Sequence, residues 1–144
     1  MYRKIEEKDF PQWMELASLF WPKHTQEKLQ KEFQRILGST TEESFLYQDN
    51  GSAVAFINVA IRNDYVEGSN TSPVGYLEGI YVKDEYRNKG IAQQLFKEAE
   101  QWLREKGVTE IGSDAMTSNT ASKKLHEKLG FTEGETLIHF LKKL

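Results

Sequence analysis

Cysteine does not occur in the 144 residues. Disulfides, thiolate-bound metals and any acyl intermediate carried on a cysteine are therefore excluded. Prolines and histidines number three each, and His24, His126 and His139 show no ligand spacing such as HExxH, so no metal is expected. Nor does the chain contain a GxxxxGK[ST] phosphate loop, a GxGxxG dinucleotide turn or a GxSxG nucleophile elbow. No stretch approaches the ~20 apolar residues that span a bilayer. The opening residues Met1 to Glu7 lack the apolar run of a secretory leader. These absences predict a cytoplasmic protein with no membrane partner, and Asn70-Thr71-Ser72, a glycosylation sequon by letter, reads as a polar loop. A formal charge of −3 provides no basic face for nucleic acid and is compatible with a cationic partner.

A composition that is 38% hydrophobic and 28% charged, with eight Phe, six Tyr and three Trp, suits one core and one domain over residues 1–144. Tyr2 to Glu6 predicts a short strand. Asp9-Phe10-Pro11 reads as an N-cap with proline in the first turn of a helix that ends near Trp21-Pro22. Thr25 caps a second helix, in which Leu29, Phe33, Ile36 and Leu37 share one face and which Gly38 stops. Ser44 to Gln48 and Ala53 to Ile61, joined through Asp49-Asn50-Gly51, predict a hairpin. The polar stretch Asn63 to Ser72 reads as a functional loop. Val74 to Val82 is a strand, Ile91 to Lys106 an amphipathic helix ended by Gly107, and Val108 to Ser113 another strand. A helix through Leu129 follows, and strand material is expected around Phe131 and at Thr136 to Leu141. The order βααβββαβαββ predicts an α/β chain with a mixed sheet and helices packed on it.

The informative segment runs from Tyr76 to Leu103 and centres on Arg87-Asn88-Lys89-Gly90-Ile91-Ala92. A glycine where a loop becomes a helix lets the backbone approach a bulky anion, and the unpaired amides of the first helical turn point towards it. Arg87 and Lys89 add positive charge. Taken alone, the same letters describe a tight loop before a surface helix with solvated cations.

Arg87 to Ala92, placed directly after the apolar strand end Ile80-Tyr81-Val82, resembles the [Arg/Gln]-x-x-Gly-x-[Gly/Ala] signature of the GNAT superfamily of N-acetyltransferases. Asn119, His126 and Gly130-Phe131 resemble a second segment of that family at the right separation. The resemblance covers nearly the whole chain and implies an acyl-CoA N-acyltransferase fold, α/β in class, with a central, mostly antiparallel sheet and flanking helices. It implies acetyl-CoA as co-substrate, with main-chain groups of Ile80 and Val82 on the thioester and pantetheine arm, Arg87, Asn88, Lys89, Gly90, Ile91 and Ala92 around the pyrophosphate, and Asn119 on the arm's other side. Asn119 reads equally as a helix N-cap.

A closer resemblance, to bacterial aminoglycoside 6'-N-acetyltransferases of the GNAT type, rests on Leu19 to His24, Ile61 to Gly68, Ser72 to Val74, Leu77 to Val82 and Ser113-Asp114. It implies an aminoglycoside or other small polyamine as partner, held by Trp21, His24, Tyr65, Glu78, Asp114 and Glu135. A polycationic sugar independently calls for carboxylates and aromatic faces. Glu78 is the candidate base on an otherwise apolar strand, where alternation predicts that it shares a face with Tyr76, Ile80 and Val82. His126 stands where many relatives carry tyrosine, and reads equally as the acid that protonates the leaving thiolate and as a helix-surface residue. By the same resemblance the chain is expected to form a homodimer, with Thr136 to Leu141 pairing across a two-fold axis. Acetylation of another amine and acetyl-CoA sensing without turnover are the alternative readings.

Overall fold

The computed structural model describes all residues, 1–144. Strand β1 (Tyr2–Lys4) leads through a single 3-10 turn into helix α1 (Phe10–Phe20), where Pro11 occupies the first turn. Helix α2 (Gln26–Leu37) starts on Thr25, whose Oγ1 accepts a hydrogen bond from the Lys28 amide at 3.1 Å, and it stops at Gly38. Strands β2 (Glu42–Asp49) and β3 (Ser52–Arg62) form the hairpin. Asn50 and Gly51, at φ 50° and 80°, take the left-handed conformations that a two-residue strand reversal demands. Strand β4 (Val74–Val82), helix α3 (Ile91–Glu105), strand β5 (Ile111–Gly112) and helix α4 (Thr120–Lys128) complete the chain.

The five strands lie in the order β1-β2-β3-β4-β5, antiparallel except for the parallel pair β4–β5. Helices cover both faces. Against one pack α1 and α2, burying Trp13, Leu16, Leu29, Phe33 and Phe56, with the Trp13 indole N–H donating to Ser44 Oγ at 3.1 Å so that neither buried polar group is left unpaired. Against the other packs α3, whose Leu95, Ala99 and Leu103 meet Ile57, Val59, Leu77 and Ile80.

Two features set up the functional region. First, β4 and β5 are paired only at Gly75–Ile111 and Tyr76–Gly112, so from Leu77 onward the β5 side of β4 faces a cleft. Secondly, the β3–β4 register shifts by one residue: Asn58 faces Gly79, while Val59 faces Leu77. Glu78 is the extra residue of this bulge, and a bulge redirects the side chain it inserts.

The bulge corrects the simple alternation expected for β4. Tyr76 lies opposite Ala60 and Gly79 opposite Asn58, on the α1–α2 face, whereas Leu77 and Ile80 lie opposite Val59 and Ile57, on the α3 face. Ile80 and Val82 therefore do not share a face with Tyr76 as expected. The strand expected over Val108 to Ser113 is reduced to Ile111–Gly112, and Thr136 to Leu141 forms no strand. A strand takes its backbone hydrogen bonds from a neighbour, and no strand of this chain lies beside the final segment. Leu137, Ile138, Phe140 and Leu141 are correspondingly exposed.

Candidate active site

At the start of α3, Gly90 has φ 81° and Asn88 has φ 61°. These left-handed residues turn successive backbone amides towards one side, a geometry that forms a concave anion site. A β-carbon at Gly90 would sit in open space but for Gln93 Oε1 at 3.9 Å, so the glycine serves backbone conformation and approach from outside rather than internal packing. The first turn of α3 contains no acidic residue, which leaves the positive end of the helix dipole uncompensated. The Arg87 side chain folds back: its Nε donates to the Val82 carbonyl at 2.8 Å, and its guanidinium pairs with Asp84 at 3.0 Å. Arg87 thus braces the loop against β4. Lys89, with Nζ 5.5 Å from the Tyr86 ring centre, remains at the surface.

Across the cleft, Asn119 caps α4, its Oδ1 accepting from the Ser122 amide at 3.0 Å. Two turns further on, His126 is held at both nitrogens. Nδ1 lies 2.7 Å from the Ser122 carbonyl and Nε2 lies 2.7 Å from Ser113 Oγ. A carbonyl only accepts, so Nδ1 carries the proton and Nε2 is the nitrogen available to exchange one through Ser113. The Ser113 hydroxyl also lies 3.3 Å from the Leu77 carbonyl, on the strand edge that lines the cleft. His126 is therefore fixed at the cleft by Ser113, a residue to which the sequence assigned no role beyond its part in the resemblance.

On the opposite face, Trp21, His24 and Glu78 line one cavity with Glu32, Arg35, Ile36, Glu42, Asn58 and Val59. The Trp21 and His24 rings stack at 5.5 Å, 4° from parallel. Gly79 makes room for the Trp21 ring, since a β-carbon there would lie 2.8 Å from it. The Arg62 guanidinium grips Glu78, with NH2 at 2.8 and 3.1 Å from the two carboxylate oxygens, and lies 3.5 Å above the Tyr76 ring. The Tyr76 hydroxyl in turn donates to Asp114. Burial and the neighbouring Asp114 push the Tyr76 phenol well above its usual range, so it stays protonated as that donor.

Glu78 and Asp114 are thereby joined through Arg62 and Tyr76, two residues absent from the sequence-based set. Strand register brings them together: Arg62 is opposite Val74, and Tyr76 is next along the same face. Tyr65, 74% exposed, has a hydroxyl 3.3 Å from the Gly68 amide and makes no contact with this group. Glu135 lies exposed in the final segment. These two expected acceptor residues are not brought to the cavity within one chain.

The model of the acetyltransferase (GNAT) family matches residues 10–131, and so takes in the cleft, the α3 loop and the cavity. The chain belongs to the GNAT family. Among GNAT relatives, the aminoglycoside N(6')-acetyltransferase type 1 of Acinetobacter genomosp. 13 is 41% identical over 139 residues, covering 96% of this chain and 94% of its own. The enzyme of the same description from Salmonella enteritidis is 36% identical over 141 residues, covering 98% and 97%. The structure of the aminoglycoside antibiotic 6'-N-acetyltransferase from Acinetobacter haemolyticus, in its apo form, superposes with a TM-score of 0.96 at 34% identity, covering 100% of this chain and 99% of that one. AAC(6')-Iy in complex with the bisubstrate analogue CoA-S-monomethyl-acetylneamine also gives 0.96, at 35% identity, with coverage of 100% and 98%. The GNAT fold expected from the sequence, a mostly antiparallel sheet between helices, is the fold observed.

Proposed function

We propose that this GNAT acetyltransferase passes the acetyl group of acetyl-CoA to the 6'-amine of an aminoglycoside, by direct attack within a ternary complex. The observation that carries the reading is an open β4 edge that leads from a carboxylate-lined cavity at the Glu78 bulge towards an anion-binding helix start beyond Val82. Full-length similarity to aminoglycoside N(6')-acetyltransferases supports the choice of amine.

Acetyl-CoA supplies the acetyl group as a thioester. The amides of Ile91 and Ala92 and the turn at Asn88 to Gly90 suit its pyrophosphate, and the β4 edge from Leu77 to Val82 suits its arm, as a peptide-like chain suits an unpaired strand edge. Backbone amides at this edge, chiefly that of Ile80, would stabilise charge developing on the thioester oxygen. An amine with a pKa of ~10.4 is about one part in a few thousand neutral at pH 7, so its proton must leave on or before attack. Glu78 accepts that proton, through water, once the incoming ammonium has displaced Arg62 from it. The departing thiolate, with a reference pKa of about 8.5, receives a proton through Ser113 from His126 in its cationic form, which carries a proton on Nε2 as well as on Nδ1. Trp21 and His24 supply flat faces for ring edges, and Asp114 a second carboxylate. Tyr65 and Glu135 complete the acceptor site only in a homodimer, the assembly that the unpartnered apolar final segment favours.

The deciding experiment is release of coenzyme A by the purified protein with acetyl-CoA and kanamycin or tobramycin, beside versions in which the 6'-amine is replaced by hydroxyl. Turnover is expected only with the amine. Equal turnover with both would move acetylation to another nitrogen, and none with either would remove the aminoglycoside as acceptor.

A further inference from the structure

The cavity beside Glu78 has a volume of about 270 Å³ and is lined from α1–α2, β2, β3 and β4. In it lies Asn58, on β3, only 5% exposed, with a side-chain carbonyl that meets no donor in the protein. Folded proteins seldom tolerate this, because a buried carbonyl stripped of water and given nothing in return destabilises the native state. No neighbour relieves it. Ser44, its partner across the β2–β3 ladder, accepts from the Trp13 indole N–H and makes no hydrogen bond to the Asn58 carbonyl. Arg35, the one guanidinium of the lining, is bound at 2.8 and 3.0 Å to Glu42. The remaining charged groups, Glu32 and Glu78, are themselves acceptors.

His24 shows the complementary lack. Its Nε2 faces the Lys28 ammonium at 3.5 Å, and an ammonium only donates, so the proton belongs on Nδ1. That Nδ1 is buried without a partner. Two residues of one cavity lining, Asn58 and His24, thus carry a buried unpaired acceptor and a buried unpaired donor, beside carboxylates. This set fits a group that donates strongly and can also accept, such as an amino or hydroxyl substituent on a cationic sugar.

Position then separates this group from the reacting amine. The thioester must approach on the β5 side of β4, where the two strands part, whereas Asn58 lies on β3, one strand spacing of ~4.8 Å to the other side.

We propose that Asn58 is a specificity-determining residue, whose side-chain carbonyl accepts a hydrogen bond from an amino or hydroxyl group of the acceptor other than the amine being acetylated. The inference rests on the aminoglycoside reading and deepens it.

Calorimetric titration of tobramycin into the wild type, Asn58→Leu and Asn58→Thr provides the test, with coenzyme A release followed in parallel. Threonine suits a strand and is too short to present its oxygen where the amide does, so it serves should the leucine variant fail to fold. Both substitutions should raise the Kd for tobramycin about tenfold and leave the KM for acetyl-CoA unchanged, and Asn58→Leu should leave the thermal midpoint equal or higher, because it removes an unpaired buried polar group. Asn58→Asp, which keeps an acceptor oxygen, should bind as the wild type or more tightly. A monodeoxy or deamino tobramycin that loses affinity for the wild type but not for Asn58→Leu identifies the group concerned. A folded Asn58→Leu or Asn58→Thr variant within twofold of the wild type overturns the proposal and leaves water as the cavity's occupant. Wild-type binding without turnover would sink the aminoglycoside reaction while the Kd ratio still decides the role of Asn58. No wild-type binding would overturn both.

Discussion

Glu78 and Arg62 hold one another in a forked pair, so the carboxylate proposed as base is guarded by a cation that an incoming ammonium would have to replace. Glu78→Gln keeps the shape and removes the basicity. Its kcat/KM should fall about 10²- to 10³-fold at pH 7, and the deficit should shrink as pH approaches the amine's own pKa of ~10.4, since a free amine needs no base. A deficit that stays constant across the pH range would remove Glu78 as base. A different carboxylate serves stability. Asp9, buried, accepts from both Arg3 guanidinium nitrogens and from the Glu6 amide, each at 2.7 Å. The hydrogen bonds from Arg3 outweigh burial and hold its carboxyl below the usual range. A depressed folded-state pKa means stability that is fully present above the unfolded value of ~3.9 and is lost as pH falls through the folded value. Asp9→Asn should therefore lower unfolding stability by about 2–3 kcal/mol at pH 7, and urea melts repeated at falling pH should show the gap to the wild type closing. A gap independent of pH would show that packing, not charge, is what the substitution disturbs.

The start of α3 is an element-scale device, because the amides that suit a pyrophosphate act together only while Asn88 and Gly90 keep their left-handed turn. Gly90→Val forces a β-branched residue towards φ 81°, a conformation it strongly disfavours. The KM for acetyl-CoA should rise about tenfold or more, on the scale of one to three kcal/mol of strain, while calorimetric binding of tobramycin stays unchanged. Unaltered acetyl-CoA kinetics would show that the loop does not hold the cofactor. At this scale the sequence was readable wherever local chemistry sets the boundary: Thr25 and Gly38 delimit α2, Asn50-Gly51 turns the hairpin, and Gly90 starts α3. It failed at β5, where only Ile111 and Gly112 pair with β4 before the two strands part, and at the final segment, which pairs with no strand of the chain.

For the whole molecule, the exposed Leu137, Ile138, Phe140 and Leu141 give the final segment an apolar surface without an intrachain partner, and burying it is the strongest physical reason for a second copy. Sedimentation equilibrium should give twice the chain mass. The double substitution Phe140→Asp, Leu141→Asp should shift the mass towards one chain and, if the partner's segment completes the acceptor site, raise the KM for tobramycin more than that for acetyl-CoA. A wild type sedimenting as a single chain at micromolar concentration would remove the dimer.

By itself the sequence determined the succession of helices and strands, the glycine-started α3 and the acyltransferase signature, because caps, turn residues and hydrophobic periodicity act over a few neighbouring positions. It also named Trp21, His24, Glu78, Asp114 and His126, which the fold does bring to the cleft and cavity or link to them. Only the tertiary structure decided that Glu78 is a bulge residue, that Arg62 and Tyr76 connect it to Asp114, that Ser113 holds His126, and that Asn58 is buried without a donor. Those relations join residues up to 52 positions apart, as between Arg62 and Asp114, and depend on the one-residue shift between β3 and β4. Strand register follows from the hydrophobic patterns of both strands and the turn between them, so the one residue inserted at Glu78 is not legible in either strand alone.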